Sequence, residues 1–390
     1  MILSDADFSP PTVGIIGAGQ LARMMLQAAI PLGVRVRLLA ERADDGAALV
    51  APDVTLGRAD DAAALAAFVR SCDATTFDHE LVDADALAAL EATGHALRPG
   101  AGTVALAQDK RRQRQLLGNL GFPVPPHRPV DAPADLLEFG AAYGWPAVAK
   151  AGRGGYDGRG VWVLDGPEEA EDLLAQVNPA AVELLVETWV PIERELAVLV
   201  ARRPAGEVVA YPLVETVQIE GICHEILAPA PVEPRLAAEA EDLALSIMTS
   251  IESTGVLAVE LFQTAEGLVV NELAARPHNS GHWTIEGAAT SQFEQHLRAV
   301  LDWPLGSTAL QAPAVATVNV LGRDAVDPLH RLPAALAVEG VHVHLYGKAA
   351  RPGRKLGHVT ALGQDRVEVR DRAVRAAGLL TGAVPAGSAS

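Results

Sequence analysis

The chain has 390 residues, enough for two or three domains. Its 49% hydrophobic content with 35 Gly and 26 Pro describes a globular protein rich in turns. Thirty-one basic residues against 49 acidic ones leave a net charge of −18, which argues against a nucleic-acid partner, although a local basic cluster can still hold an anionic substrate.

Residues 12–40 read as strand, Gly-rich turn, helix, strand (TVGIIGAG, QLARMMLQAAI, VRVRLLA). Strand–helix alternation continues to about residue 106, which predicts an open parallel sheet. A helix over 109–120 has Gly121 just past its end and Pro123 beyond, a normal stop. The stretch 122–130 (FPVPPHRPV) reads as a rigid connector. A block of strands and one helix follows: PAVAK, a Gly-rich loop, VWVLD, PEEAEDLLAQV and ELLVETWV. Residues 191–273 read as mostly antiparallel strands with a helix at 235–251, and a second helix spans 291–301. Strands at 314–322, 340–347 and 358–363 precede a last helix near 370, and the tail from 383 is expected to be disordered. No apolar run reaches the ~18 residues that span a bilayer. The opening MILSDADFSP has acidic residues and no basic segment, so no signal peptide is expected. Cys72 and Cys223 stand far apart in no metal spacing and read as ordinary thiols of a reducing compartment, so a cytoplasmic location is expected.

Two glycine motifs carry chemistry. Gly17 to Ala22 fits GxGxxA between a strand and a helix, and Glu41 ends the next strand. That pattern suits a dinucleotide, and equally any phosphate or carboxylate at a helix N-terminus. The second motif, GRGGYDGRG (152–160), follows Lys150. It lacks GK[ST] and leads into a strand, so it is a hairpin flap whose glycines let the backbone approach phosphate oxygens. Lys150 reaches the same phosphates as a point charge.

Residues 271–284 (NELAARPHNSGHWT) string a carboxylate, an arginine, two histidines, an asparagine and a serine onto the end of one apolar strand. The preceding runs 256–262 and 268–273 form a hairpin. A three-residue loop of Ala265, Glu266 and Gly267 would set Thr264 opposite Leu268 and Glu260 opposite Glu272. Opposed residues share a face with Cβ atoms about 5 Å apart. Two such carboxylates repel unless a cation sits between them, and Mg²⁺ is bound by one or two carboxylates plus substrate phosphates.

Lys150, the GGYDGRG flap, the strand ending in Glu187, Glu195 beyond it and the Glu260/Glu272 pair together resemble the ATP-grasp fold. Within it GGYDGRG, NELAARPHNSGHW and RPGRKLGH (351–358) resemble the N5-carboxyaminoimidazole ribonucleotide synthetases, over most of the chain from about 13 to about 362. The resemblance implies an α/β and α+β architecture: an N-terminal Rossmann-like domain (1–107), a small lid domain (108–190), a large ATP-grasp domain (191–305) and a C-terminal mixed sheet packed on it (306–380), with a disordered tail (381–390). It implies a homodimer, and an ATP-dependent C–N ligase that carboxylates 5-aminoimidazole ribonucleotide through carboxyphosphate, with ATP, bicarbonate and Mg²⁺ (or Mn²⁺) bound.

By that resemblance Glu187, Thr188, Trp189 and Val190 receive adenine, Glu195 the ribose, with Gln218 nearby. Lys110, Lys150 and the flap residues Gly155, Tyr156, Asp157, Gly158, Arg159 and Gly160 hold phosphates, and Tyr156 and Asp157 also close over the imidazole. Glu260 and Glu272, with Asn271, hold the metal. Arg276, whose fork bonds two oxygens at once, with His278 and Asn279, orients bicarbonate or carboxyphosphate. Gln20, Arg351, Arg354 and Lys355 hold the ribotide, so no dinucleotide binds at GxGxxA. The chain departs from the family at Gln218, where a histidine is frequent, at Ala22 for glycine, and at Arg114 for lysine. His282 and Trp283 read as packing groups, and Asp78 and Glu80 lie near the expected ligand crevice. Two alternatives remain open: an ATP-grasp ligase acting on another ribotide or carboxylate, and an NAD-dependent oxidoreductase using GxGxxA and Glu41.

Overall fold

A computed structural model describes residues 9–155, 158–177 and 182–383. The N-terminal part is β1 (Thr12–Ile16), α1 (Gln20–Ala29), β2 (Arg35–Ala40), β3 (Val54–Leu56), α2 (Ala62–Val69), β4 (Ala74–Phe77), α3 (Ala84–Ala92) and α4 (Ala101–Gln108). Its four strands are parallel in the order β3-β2-β1-β4. Strands with helices on both faces need apolar residues on both, and β4 is buried throughout. The chain turns outward in opposite senses after β1 and β4, so a crevice opens at their carboxyl ends.

The GxGxxA turn is filled by the chain itself. Asp78, one residue past β4, accepts hydrogen bonds from Gly19 N and Ala22 N, both at 2.7 Å. A carboxylate at a helix N-terminus satisfies orphan amides and faces the positive end of the helix dipole. Gly17 has φ +99°, and a Cβ there would lie 2.9 Å from Asp78 Cβ. A Cβ on Gly19 would lie 2.4 Å from Asp78 Oδ2. The glycines make room for this carboxylate.

A second sheet follows α5 (Lys110–Asn119): β5 (His127–Pro129), α6 (Pro133–Tyr143), β6 (Ala147–Ala151), β7 (Val161–Leu164), α7 (Pro167–Gln176) and β8 (Leu184–Thr188). It is antiparallel in the order β5-β8-β6-β7. The segment read as a plain connector thus contains an edge strand, paired to β8 on one side only. Proline is tolerated at such an edge because no second ladder needs its missing N–H. Alternate residues Ala147 and Ala149 of β6 face α6 and α7 through Leu136, Phe139, Ala170 and Leu173. That leaves Lys150 for the opposite face.

The third sheet holds β9 (Arg194–Arg202), β10 (Val208–Ala210), β11 (Val214–Ile219), β12 (Ile222–Ala228), β13 (Gly255–Thr264), β14 (Gly267–Ala274), β15 (Ala314–Leu321), β16 (Val341–Leu345) and β17 (Lys355–Gly363). Its order is β14-β13-β9-β11-β12-β15-β17-β16, with β10 beside β9. The strands after residue 306 therefore continue this sheet through the β12–β15 pair. Helix α8 (Pro234–Ser250) buries Ala240, Ala244, Ile247 and Met248 against Leu196, Val198, Leu257 and Val259. The intervening residues Glu195, Ala197, Glu260 and Glu272 face the other way. Beyond β14 come α9 (Thr284–Gly287) and α10 (Gln292–Val300), then α11 (Leu332–Leu336) and the last helix, α12 (Arg366–Thr381), on β15 and β17. Phe293, Leu297 and Val300 of α10 pack on Leu21 and Met25 of α1 and join the first and third sheets.

Asp78→Ala should lower stability by about 1–3 kcal/mol, because two buried amides lose a charged acceptor. Urea unfolding of the purified variant reads this directly; an unchanged midpoint would show that the cap is idle.

Candidate active site

The carboxylate pair is opposed as the hairpin reading requires, by a different route. Thr264 faces Gly267 across a two-residue turn, one residue shorter than expected, so Gln263 and not Thr264 meets Leu268. Thr264 Oγ1 favours the tight turn by accepting from Glu266 N (3.1 Å) and donating to Gly267 O (3.0 Å). Asn271 then bulges from β14 between the pairs Leu261–Val270 and Glu260–Glu272 and restores the register. A bulge re-aims a side chain, and Asn271 Nδ2 donates to Glu260 Oε2 at 3.3 Å.

The cation demanded by the two carboxylates is already supplied from α5. Lys110 Nζ pairs with Glu272 Oε2. Burial alone would raise the Glu272 carboxyl, but Lys110, by charge and hydrogen bond, with Lys150 brings it down to about 2. Burial, reinforced by the charge of Glu272, pushes Glu260 up to about 8. The two side chains, Glu260 and Glu272, keep 21% and 37% of their surface, so an ion and a phosphate can reach them.

Helix α5 delivers its groups along one stripe, Lys110, Gln113, Arg114 and Leu117, at i, i+3, i+4 and i+7. Asp109 caps it, accepting from Arg111 N and Arg112 N. The stripe lies against β14, an edge strand whose outer backbone groups lack a ladder. Gln113 Oε1 accepts from Leu273 N (2.8 Å) and its Nε2 donates to Leu273 O (3.3 Å). Arg114 Nη2 donates to Asn271 O. Neither Gln113 nor Arg114 announced this in the sequence beyond the helical spacing.

Glu187, expected at the adenine, has its carboxylate committed elsewhere. It is 2% exposed, with Oε1 bonded to Arg114 Nε and Oε2 2.7 Å from Lys150 Nζ. Burial would raise its carboxyl; Lys150 and Arg114 outweigh that and bring it down to about 2. Burial pulls the Lys150 ammonium down despite Glu187. Lys150 also donates to Asn271 Oδ1 at 3.4 Å. Thr188 continues β8, while Trp189 and Val190 follow it outside any strand, Trp189 half exposed. Glu195 lies opposite Phe262 on β13, on the face of the carboxylate pair, and burial lifts it to about 7. Gln218 shares that face, two residues beyond Thr216, the partner of Glu195.

Arg276 Nε donates to Glu80 Oε2 at 2.8 Å, which makes the loop after β4 part of this site. His278 Nδ1 accepts from Ser280 N (3.3 Å), so the ring proton sits on Nε2, 3.6 Å from Glu260 Oε1. Burial, helped by the charge of Arg276, takes His278 down to about 3, and the imidazole is neutral. Asn279 Nδ2 is buried with no hydrogen-bond partner among the described residues, and the Asn279 side chain lies beside the Cys223 thiol. The flap is the β6–β7 hairpin, with Ala151 N bonded to Gly160 O and Gly155 and Gly158 on its tip. Arg159 lies exposed on the same tip, whereas Tyr156 and Asp157 fall outside the described residues.

Gln20 and the 351–355 cluster meet less completely than expected. Gln20 Oε1 accepts from Lys348 Nζ, a lysine that no sequence motif singled out. Lys355 is near enough for its charge to act on Glu260 and His278. Arg354 instead donates to Ala349 O (3.0 Å), and Arg351 is exposed on the turn before β17. His282 and Trp283 are buried packing groups, with the His282 ring tilted against His358 at 4.9 Å between centroids.

Three family models match in tandem: the ribonucleotide synthetase preATP-grasp domain over residues 11–108, the ATP-grasp domain over 115–293 and the phosphoribosylaminoimidazole carboxylase C-terminal domain over 315–372. The N5-carboxyaminoimidazole ribonucleotide synthase of Mycobacterium tuberculosis is 48% identical over 378 residues, covering 95% of this chain and 88% of that protein. The chain belongs to the N5-carboxyaminoimidazole ribonucleotide synthase family. The crystal structure of the Thermus thermophilus synthetase is similar at a TM-score of 0.85 and 41% identity, over 96% of this chain and 99% of that one. So is the Aspergillus clavatus synthase in complex with ADP and 5-aminoimidazole ribonucleotide, at 0.87 and 31%, over 96% and 99%. As a member of this synthase family the chain is an ATP-dependent ligase of ATP-grasp architecture that binds ATP. The dinucleotide reading of GxGxxA gives way, since Asp78 holds the amides a pyrophosphate would need.

The ion pairs of Glu187 set a pH dependence. Its folded carboxyl titrates at about 2 against an ordinary 4.5, so the stability it contributes is present above about 4.5 and is lost as pH falls towards 2. Glu187→Gln should cost roughly 3–5 kcal/mol at neutral pH. Urea midpoints of the two proteins should converge below pH 4; a constant gap down to pH 2 would mean the carboxylate is not ionised in the fold.

Proposed function

We propose that this site carboxylates 5-aminoimidazole ribonucleotide to N5-carboxyaminoimidazole ribonucleotide with ATP and bicarbonate, on its way to purine nucleotides, with the following division of labour. Lys110, Lys150 and the flap residues Gly155, Gly158, Arg159 and Gly160 neutralise and enclose the nucleotide phosphates. The backbone of residues 188–190 receives adenine. Glu187 acts at one remove by fixing Lys150. Glu195 accepts from the ribose hydroxyls, and Gln218 lies alongside.

A bicarbonate oxygen attacks the γ-phosphorus, the bond to the β-phosphate oxygen breaks, and ADP leaves carboxyphosphate behind. Arg276, with Nε on Glu80 and Nη1 on Pro277 O, offers Nη2 and its charge to the planar anion, and the neutral His278 donates from Nε2 rather than adding charge. Asn279 supplies a further donor. Carboxyphosphate then yields phosphate and CO₂; the exocyclic amine attacks the carbon and its proton passes to phosphate. Gln20, Arg351, Arg354 and Lys355, joined by Lys348, would hold the ribotide phosphate, which requires Arg354 to leave Ala349 O.

Glu260, Glu272 and Asn271 suit a hard cation. No cluster of three or more His, Cys, Asp or Glu side chains is set to hold a metal among the described residues, so binding depends on the phosphates as further ligands. Held by Glu260, Glu272 and Asn271, Mg²⁺ or Mn²⁺ would offset the negative charge of the nucleotide phosphates. We assign the enzyme to the cytoplasm and to a homodimer on the family's pattern; no helix among the described residues is long and apolar enough to cross a membrane.

The observation that carries this reading is the opposition of Glu260 and Glu272 beside Lys110, within one site with Arg276 and His278. Its test is ADP release by purified protein with Mg²⁺ATP. Release should require both the ribotide and bicarbonate, with labelled bicarbonate entering an acid-labile product. Turnover indifferent to the ribotide would reopen the substrate. Glu272→Gln should fold normally and lose at least about 100-fold in kcat, since an amide cannot neutralise the metal. Near-normal turnover there would sink the metal assignment.

A further inference from the structure

We propose that Gln292 is a positioning residue for the catalytic loop, fixing His278 through the histidine's own backbone; this rests on the role given to His278 above. Gln292 opens helix α10 and is fully buried. Its Oε1 accepts from His278 N at 2.8 Å and its Nε2 donates to His278 O at 2.8 Å. The second Nε2 proton goes to His282 Nδ1 at 3.1 Å. These partners leave one orientation for the amide, because a backbone N–H only donates and a carbonyl only accepts. They also fix His282 as the tautomer protonated at Nε2.

The loop is shaped to receive this clamp. Gly281 is needed because a Cβ there would lie 2.5 Å from Gln292 Oε1 and 2.2 Å from Leu199 Cδ1. Thr284 Oγ1 donates to Gly281 O (2.6 Å) and accepts from Gln292 N (2.9 Å), so the loop and the helix start are tied twice. His278 cannot rotate its backbone without breaking two partly buried hydrogen bonds. Its ring is thereby held between Ser280 and Glu260. Gln292 touches no reacting atom itself; it sets where the His278 Nε2 proton points.

The same helix supplies the control. Gln295 is equally buried and makes the same pair of bonds to Gly306, accepting from its N (2.7 Å) and donating to its O (2.8 Å). Gly306 lies on a loop with no part in the chemistry. Gln292→Leu and Gln295→Leu each leave a backbone N–H and C=O unpaired, and Gln292→Leu also strands His282 Nδ1, so it should cost at least as much stability as Gln295→Leu. Only Gln292→Leu should lower kcat, by roughly 10- to 100-fold, as expected when a catalytic group is misplaced by about 1 Å. KM for ATP should stay within about twofold, because the phosphate-binding groups are not on this loop.

The experiment measures kcat, KM for ATP and melting temperature for both variants, with His278→Ala in parallel. Equal kcat losses in the two glutamine variants, or none in either, overturn the proposal while a His278→Ala loss leaves the catalytic reading standing. Full activity in His278→Ala overturns both. If Gln292→Leu does not fold, Gln292→Glu replaces it: the carboxylate keeps the volume and the acceptor, loses both donors, and is read against Gln295→Glu by the same comparison.

Discussion

A carboxylate taken out of water must be met by cations, and Glu187 is met by two. Arg114 comes from α5, Lys150 from β6, and Arg114 also reaches the carbonyl of Asn271 on β14. One buried side chain thus ties the second sheet, the connecting helix and the edge of the third sheet. Removing either cation strands a charge, whereas removing all three groups would loosen only packing. Lys150 and Asn271, which the proposed function places at the phosphates and the metal, are held in place by this knot, so site geometry and fold stability share residues.

The edge of the third sheet follows the same logic. β14 ends the sheet, and its outer backbone groups are satisfied by Gln113, Arg114 and the carbonyl of Pro123. An open edge is an aggregation hazard, and here the covering side chains come from the helix that also carries Lys110, with the Pro123 carbonyl added just beyond it. Gln113, Gln292 and Gln295 all use one amide to close on one residue's N–H and C=O. Gln113 replaces a missing strand partner of β14, and Gln292 and Gln295 satisfy loop backbone in the same way.

Much of this is legible in the sequence, for physical reasons that can be named. The hairpin's carboxylates emerge because period-two alternation survives two compensating departures: a turn one residue shorter and a bulge one residue longer cancel. β5 is not legible, because prolines speak against a strand and only pairing on a single side permits one. The Lys110–Arg114 stripe has helical spacing, but spacing does not say which strand it will meet. Glu80 and Lys348 are invisible as partners of Arg276 and Gln20, since they lie 196 and 328 residues away along the chain. Glu187 belongs to the expected site, and its pairing with Arg114 and Lys150 is not legible, because a sequence shows a carboxylate and not which cations fold around it.

Asp78 acts on the GxGxxA turn as a tethered ligand. A group carried on the same rigid sheet is present at its binding site at an effective concentration in the millimolar range or above, roughly, for as long as the fold persists. Any free anion competing for Gly19 N and Ala22 N must displace a neighbour that never diffuses away. The turn therefore keeps the geometry of a nucleotide cradle while being saturated from within, and ligand selectivity in this first sheet is achieved by occupancy rather than by shape.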